Sequence, residues 1–490
     1  MLPTQGNLPL SPYSELYDII VPKDNKLRKI ADNVDFSFIY DELKEKYCQD
    51  NGRMAEDPVR MFKYLFLKCL LNLSDVDLVS RAATDLSLKY FLGLAPESRV
   101  IEASTLCKFR KLRLSDGDLM EKLLGKSVQM AEELGLIKSK EIIVDATHTS
   151  SRSNAMKPIL ILKQRFSEVK DAILKVNPKA QIKIPIGASA LKKSDAIDEI
   201  HSAIKRIESL HESKVPHVAE KINMLKETVS DIEDHYSVSI DNDARVGHKT
   251  KDTTFFGYKT HVAMTQEGFI TAAVVTSGEK DDGKVLPELI EKTKDVLPEA
   301  ECFIGDGAYA SSKNLEYAKK ENVTIVSKVN PIVISGYADK NDGFSYNKDA
   351  GMCVCPAGHM AIRKSTRKAN CKNENKNKSD QICFHFDKRI CRLCKRKSEC
   401  GKVLNGKVKV YVIEREYVKE QIDLMETDYF REKYKTRYKI EAKNAELKNV
   451  LGYDRAMSYG LHAMQVQGAV TLFTANIKRI MTLMSQKDEK

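Results

Sequence analysis

The chain has no long apolar run. Nowhere in its 490 residues does an uninterrupted apolar stretch approach the ~20 residues of a membrane-spanning helix, so a spanning helix is excluded. The N-terminus lacks a charged head followed by an apolar segment, so nothing directs export, and a cytoplasmic location in a bacterium is expected. Excess charge is nearly absent outside one segment: of a net charge of +11, residues 361–409 hold 16 Lys/Arg against 4 Asp/Glu, which leaves the rest near neutral. Cysteine is also sparse elsewhere. Four of the 11, Cys48, Cys69, Cys107 and Cys302, are scattered and read as ordinary buried thiols. Disulfides are not expected in a cytosolic chain, so the other seven need a different explanation.

What is present is a large chain with 42% hydrophobic content, enough for more than one core and, by length, about three domains. The most informative pattern lies near the C-terminus, where a single helix is expected from about 426 to 451. Tyr434, Arg437, Glu441 and Lys448 fall at offsets that place all four side chains within an arc of about 60° on such a helix. A carboxylate flanked by cations suits metal binding beside phosphate, although charged residues at helical spacing ordinarily form a solvated face. Two aspartates far upstream favour the chemical reading. Asp145 ends the β-like run Glu-Ile-Ile-Val-Asp, and Asp306 ends Cys-Phe-Ile-Gly-Asp; each then meets small or polar residues, as at the carboxyl end of a buried strand.

These residues resemble the DDE transposases of bacterial insertion sequences, in particular the group with a Tyr-x2-Arg-x3-Glu-x6-Lys signature, which Tyr434, Arg437, Glu441 and Lys448 match without a change in spacing. Asp145 and its surroundings look like the first catalytic motif, and Asp306-Gly-Ala-Tyr309-Ala-Ser311 like the second. Asp241-Asn-Asp243-Ala-Arg245 and Gly257-Tyr258-Lys259-Thr-His261 resemble two further blocks, and the likeness spans roughly residues 53–481. The resemblance implies an α/β protein with a ribonuclease H-like catalytic core and Mg²⁺ or Mn²⁺ as cofactor. Double-stranded DNA, both terminal inverted repeats and target, is the implied partner, met by a homodimer near the nucleoid.

The chemistry stands on its own. Two divalent metals about 4 Å apart can activate a water or 3′-hydroxyl and stabilise the leaving oxygen of a phosphodiester, and Mg²⁺ needs only one or two carboxylates besides substrate and water. Asp145 is expected to bridge the metals, with Asp306 and Glu441 each holding one. Arg437 and Lys448 are then phosphate contacts, while Tyr434 suits either base stacking or a phosphate bond. Asp243, His148 and His261 fit either the site or ordinary structural roles.

The basic block carries seven cysteines, Cys353, Cys355, Cys371, Cys383, Cys391, Cys394 and Cys400. Cys391-x2-Cys394 is a thiolate bite for Zn²⁺, and Cys355-Pro-Ala-Gly-His359 resembles the opposing knuckle of a zinc ribbon. Cys355, Cys391, Cys394 and Cys400 are the expected structural site, with Cys353, Cys371, Cys383 and His359 as substitutes. The surplus of positive charge suits sequence-independent phosphate contact, or else a solvated loop.

The expected organisation is an N-terminal segment (1–53), a helical DNA-binding domain (54–135), and a core from 136–329 and 426–484. A helical hairpin (151–238) and the basic Cys-rich segment (330–425) interrupt it. Within 54–135, Ser104 to Arg113 resembles a recognition helix presenting Arg110 and Arg113, or alternatively a helical cap on the core. Strands are expected at 141–147, 254–265, 270–277, 301–306 and 323–329. Ile197, Ile200, Ile204 and Ile207, then Val218 to Tyr236 after Pro216, give two apolar stripes that read as the hairpin. A helix from Leu461 to Met484 closes the core. Alternatives to an active transposase are a nuclease that cuts without joining and a catalytically silent, transposase-derived DNA-binding regulator.

Overall fold

A computed structural model describes residues 11–48, 54–114, 117–182, 193–233, 238–248, 253–329, 345–347, 352–367, 381–394, 396, 403–404, 407–408, 411–413 and 416–488. The chain opens on helices: α1 (Leu16–Ile20), α2 (Lys26–Asn33), α3 (Phe38–Leu43), α4 (Pro58–Leu71), α5 (Asp75–Thr84), α6 (Leu86–Leu92), α7 (Ala103–Arg113) and α8 (Leu119–Glu133). Local chemistry sets their ends. Asp57 accepts from the Val59 N–H with Pro58 in the first turn of α4, Ser74 caps α5 through Asp77 N, and Asp85 caps α6 before Gly93 closes it at φ +65°.

A mixed sheet follows, of β1 (Glu141–Ser150), β2 (Arg245–His248), β3 (Thr254–Thr265), β4 (Ile270–Ser277), β5 (Cys302–Ile304) and β6 (Thr324–Val326). β1 is central: it runs antiparallel to β3, with Asp145 opposite Val262, and parallel to β5, with Ile143 opposite Ile304; β5 then pairs with β6 in parallel. β2 and β4 share the other edge of β3, pairing with its first and later residues respectively. The order β4–β3–β1–β5–β6, antiparallel on one side and parallel on the other, fits a ribonuclease H-like core.

Both faces of the sheet are covered, which is why the strands read as continuous apolar runs. Alternate residues go to different layers: Ile143, Val262, Met264 and Ile304 join one cluster, while Ile142, Val144, Ala263 and Phe303 join another. The second layer is closed by α12 (Leu286–Val296) and α13 (Ser312–Lys320). On the first face lie α8 and the C-terminal helix, Leu461–Asp488. Phe36, between α2 and α3, sits within 6.5 Å (ring centroids) of Phe62, Phe66, Phe91 and Phe473, so the N-terminal residues share one core with the sheet.

Between β1 and β2 the chain forms α9 (Pro158–Val176), α10 (Lys193–Glu208) and α11 (Pro216–Glu233), with a hydrophobic cluster of their own. The two expected stripes correspond to α10 and α11. α9 is a third helix, carrying Ile161, Leu162, Phe166, Val169 and Ile173 into the same cluster. Tyr236 and the side chain of Ile197 lie outside the described residues.

After β6 the described pieces are short: β7 (Ser345–Asn347) paired with β8 (Met352–Val354), then β9 (Arg363–Arg367) and β10 (Gln381–His385), α14 (Lys388–Leu393), β11 (Val403–Leu404), β12 (Lys407–Val408) and β13 (Tyr411–Ile413), with β10 between β9 and β13. Next come α15 (Glu416–Met425), α16 (Asp428–Lys435), α17 (Tyr438–Asn449) and α18 (Leu461–Asp488).

The single helix expected from 426 to 451 is corrected here: it breaks between α16 and α17. Bonds of i→i−3 type at Thr436, Arg437, Lys439 and Ile440 tighten the chain at the break. Thr436 Oγ1 donates to the Lys433 carbonyl at 2.7 Å and accepts from Gln266 Nε2 at 2.8 Å, while Gln266 also bonds Glu141 and Lys439. The break is thus held from the β3–β4 turn and the start of β1.

Candidate active site

Ile143 and Ile304 are register partners on parallel strands, so Asp145 and Asp306, each two residues further on, fall at neighbouring positions; Asp306 lies just past the end of β5, whereas Asp145, expected at the end of its strand, sits within β1, which stays paired to β3 as far as Ser150. Burial pushes the Asp145 carboxyl up to about 6; the Ala146 N–H and Arg437 oppose that rise, while the Asp306 and Asp282 charges add to it. Asp306 is raised too, again by burial first, with Asp282 adding to it and the Ala308 N–H, Arg437 and Lys259 opposing. Its Oδ1 accepts from Ala308 N at 2.9 Å, which fixes the loop after β5. Two half-buried carboxylates that repel each other are stabilised by a cation between them.

Asp282 was not among the residues expected in the site. It lies just beyond β4, which is antiparallel to β3 and hence parallel to β1, so its turn arises at the same end of the sheet as Asp145 and Asp306. Lys259 Nζ holds it at 2.8 Å. Asn314 Nδ2 donates to both Gly283 O (2.7 Å) and Tyr309 O (2.9 Å), tying this turn to the Asp306 loop. The sequence offers no comparable signal for it, since Gly278, Glu279, Lys280 and Asp281 separate it from the apolar run of β4.

The C-terminal stripe is only partly gathered. Arg437 acts on both aspartates and forms an ion pair with Glu441, whose side chain remains 55% exposed. Lys448 Nζ lies 3.2 Å from the His148 ring, three residues past Asp145 on β1. Tyr434, on the far side of the break, stacks on Phe430 (centroids 5.4 Å, 11°) with Lys328 Nζ 5.1 Å from its ring. α17 also places Asn444 against Asp145, its Nδ2 donating to Oδ2 at 3.0 Å; nothing in the charge pattern pointed to that amide.

A family model described as "Transposase DDE domain" matches residues 224–477, more than half of the chain and including Asp306 and the whole of α16 and α17. The chain belongs to the DDE transposases. A second model, "Transposase domain (DUF772)", matches residues 15–112, the N-terminal helices. No curated protein and no solved structure matches.

DDE transposases generally use a divalent metal such as Mg²⁺, and the residues of this transposase fit one: hard carboxylate oxygens on Asp145 and Asp306, both raised in pKa by burial and by neighbouring negative charge. Among the described residues, no group of three or more His, Cys, Asp and Glu is close enough to hold a metal, so Glu441 does not complete a three-carboxylate set. The same holds for zinc. Cys355, Cys391 and Cys394 are in no disulfide and form no such group, Cys371 and Cys400 lie outside the described residues, and so do the side chains of Cys353 and Cys383. Most of the basic block is likewise outside them.

Arg110 and Arg113 are engaged within the transposase itself. Arg110 grips Asp75 with both guanidinium nitrogens beside Lys68, while Arg113 donates to the Lys46 carbonyl and lies 4.2 Å from the Tyr47 ring centroid. The exposed basic residues of α7 are Lys108 and Lys111.

The residues left open by sequence now have places. Asp241 is buried, accepts from Tyr258 Oη at 2.6 Å, Ser151 Oγ at 2.9 Å and Gly460 N at 3.1 Å, and so clamps the end of β1 to the loop before α18. Asp243 accepts from Leu461 N at 2.7 Å, capping α18. His261 is fully buried on β3, bonded through Nε2 to Thr276 Oγ1 at 3.0 Å.

Proposed function

We propose that this transposase binds the terminal inverted repeats of its own insertion sequence, hydrolyses a phosphodiester at each end, and joins the resulting 3′-hydroxyl to target DNA. The observation that supports the reading is the neighbouring placement of Asp145 within β1 and Asp306 just past the parallel strand β5, under the influence of Arg437. Asp145 and Asp306 would hold the Mg²⁺ (or Mn²⁺), with Glu441, now paired with Arg437, as the third ligand once that pair opens. The bound metal supplies nucleophile activation and stabilisation of the leaving oxygen. Arg437 and Lys448 grip phosphates flanking the scissile bond, and Tyr434, packed on Phe430, shapes the wall of the groove. A homodimer acting in the bacterial cytoplasm on nucleoid DNA satisfies the need to hold two ends at once. The zinc-ribbon reading of Cys355, Cys391, Cys394 and Cys400 rests on spacing and has no part in this chemistry.

A second reading, a catalytically silent DNA-binding regulator, is favoured by one observation: Glu441 is paired with Arg437 and exposed. One experiment separates them. A plasmid with the native flanking DNA is incubated in Mg²⁺ with wild type or Asp306→Asn, and excised and joined products are counted. Joined products from wild type alone are expected. Products unaffected by the substitution remove Asp306 from the chemistry, and none from either protein, with intact ends shown to be bound, supports the regulator.

A further inference from the structure

We propose that Asn444 is a positioning residue of the transposition site: its amide nitrogen sets the Asp145 carboxylate, and its amide oxygen faces the divalent cation. This rests on the function proposed above. Asn444 lies three residues after Glu441 and four before Lys448, on the face of α17 that meets β1. Buried Ile440, Lys443 and Leu447 seat the helix.

The amide has two ends, and the structure accounts for one. Nδ2 donates to Asp145 Oδ2 at 3.0 Å. Oδ1 is buried without a hydrogen-bond partner. A buried carbonyl oxygen left unsatisfied costs about 1–3 kcal/mol. Turning the amide over gives no relief, since it would set Oδ1 against a carboxylate oxygen. A serine or alanine here would avoid the cost. The amide is therefore placed for a partner that accepts electron density from Oδ1, against Asp145, a carboxylate whose repulsion by Asp306 calls for positive charge. A neutral carboxamide oxygen is a ligand that Mg²⁺ and Mn²⁺ accept directly or through a water. Asn444 thus does two things for one ion: it orients a ligand and it faces the ion itself.

The test uses the full-length protein bound to a duplex carrying its own element end, with Mn²⁺ titrated in and free Mn²⁺ read by electron spin resonance, DNA alone serving as blank. Asn444→Ala is expected to melt close to wild type, bind DNA unchanged in metal-free buffer, and weaken Mn²⁺ binding by about 10–100-fold, with the same shift in the metal concentration that half-saturates joining. Asn444→Asp keeps an oxygen there but loses the N–H that orients Asp145, and should bind Mn²⁺ more tightly than Asn444→Ala. Should Asn444→Ala not fold, Asn444→Ser takes its place. Mn²⁺ binding unchanged in the alanine or serine variant overturns the proposal. So do equal losses in the alanine and aspartate variants, the result of a mere tether. Asp306→Asn is the control for the underlying function: if it alone loses Mn²⁺ and joining, only the role of Asn444 falls, whereas retention of both by Asp306→Asn removes the metal site itself.

Discussion

Gly283 packs against the carbonyl of Ala308 so closely that a Cβ on the glycine would lie 2.3 Å from that oxygen. The contact joins the turn carrying Asp282 to the loop carrying Asp306, and Asn314 locks both from below. Gly283→Ala must therefore shift the Asp282 turn and the Asp306 loop relative to one another. Joining should fall at least about 10-fold, because misplacement of a reacting group by about 1 Å costs up to roughly 100-fold. Gly117→Ala, where a Cβ meets nothing within 4 Å, is the matched control. Equal activity in both variants would show that the turn and the loop move independently.

Lys448 is a phosphate contact in the proposed site, held 3.2 Å from the His148 ring near the end of β1. Lys448→Ala should weaken joining by about 10–100-fold while Asp306→Asn abolishes it, since a lost phosphate grip is partly replaced by bulk cations and a lost metal ligand is not. Its signature is in salt dependence: the slope of log affinity for the end duplex against log salt should drop by about 1 relative to wild type. An unchanged slope would place Lys448 off the DNA.

β1, β3, β4, β5 and β6 were legible because their apolar runs are covered on both faces; β2, Arg-Val-Gly-His, has no such run and was not. The break between α16 and α17 was not, because Gln266 and Glu141, over 160 residues upstream, hold Thr436 out of the helix. Local propensity favours one helix there. α9 was not read as a helix, although its apolar residues enter the same cluster as those of α10 and α11. Asp145 and Asp306 were visible as acids beside apolar β-runs, although Asp145 lies within β1 and not at its end; Asp282, set off from β4 by a polar turn, carried no such signal. Asn444 carries no charge, and only its contact with Asp145 gives it meaning.

Phe36 joins the N-terminal helices to α18 through Phe473 (6.2 Å) and to α4 and α6 through Phe66 (5.4 Å) and Phe91 (5.7 Å). Removing a buried aromatic ring from such a cluster costs about 3–5 kcal/mol. Phe36→Ala should lower the urea midpoint of the transition that reports the sheet as well as the helices. A loss below about 1 kcal/mol, or a new separate transition for the N-terminal residues, would show that they fold apart from the core.

His261 sets a pH dependence that runs in one direction. Burial lowers its pKa from the usual 6.5 to about 4, with the Asp282 charge opposing that fall and Lys259 reinforcing it. Its Nδ1 has no hydrogen-bond partner and stands 3.8 Å from Asp282 Oδ1. Between these two values the unfolded chain binds a proton at this site that the folded chain does not, so stability must fall as pH drops through that window and be unaffected by this residue above it. The full effect is about 3 kcal/mol at pH 4, from 1.36 kcal/mol per unit. Asp145 works the opposite way, since a carboxyl raised to about 6 binds its proton earlier in the folded state. Comparison with His261→Gln cancels that contribution: the variant should lose less stability than wild type between pH 7 and pH 4.5 in parallel urea titrations. Identical losses would mean that His261 takes up its proton without leaving the fold, with Asp282 close enough to receive it as an ion pair.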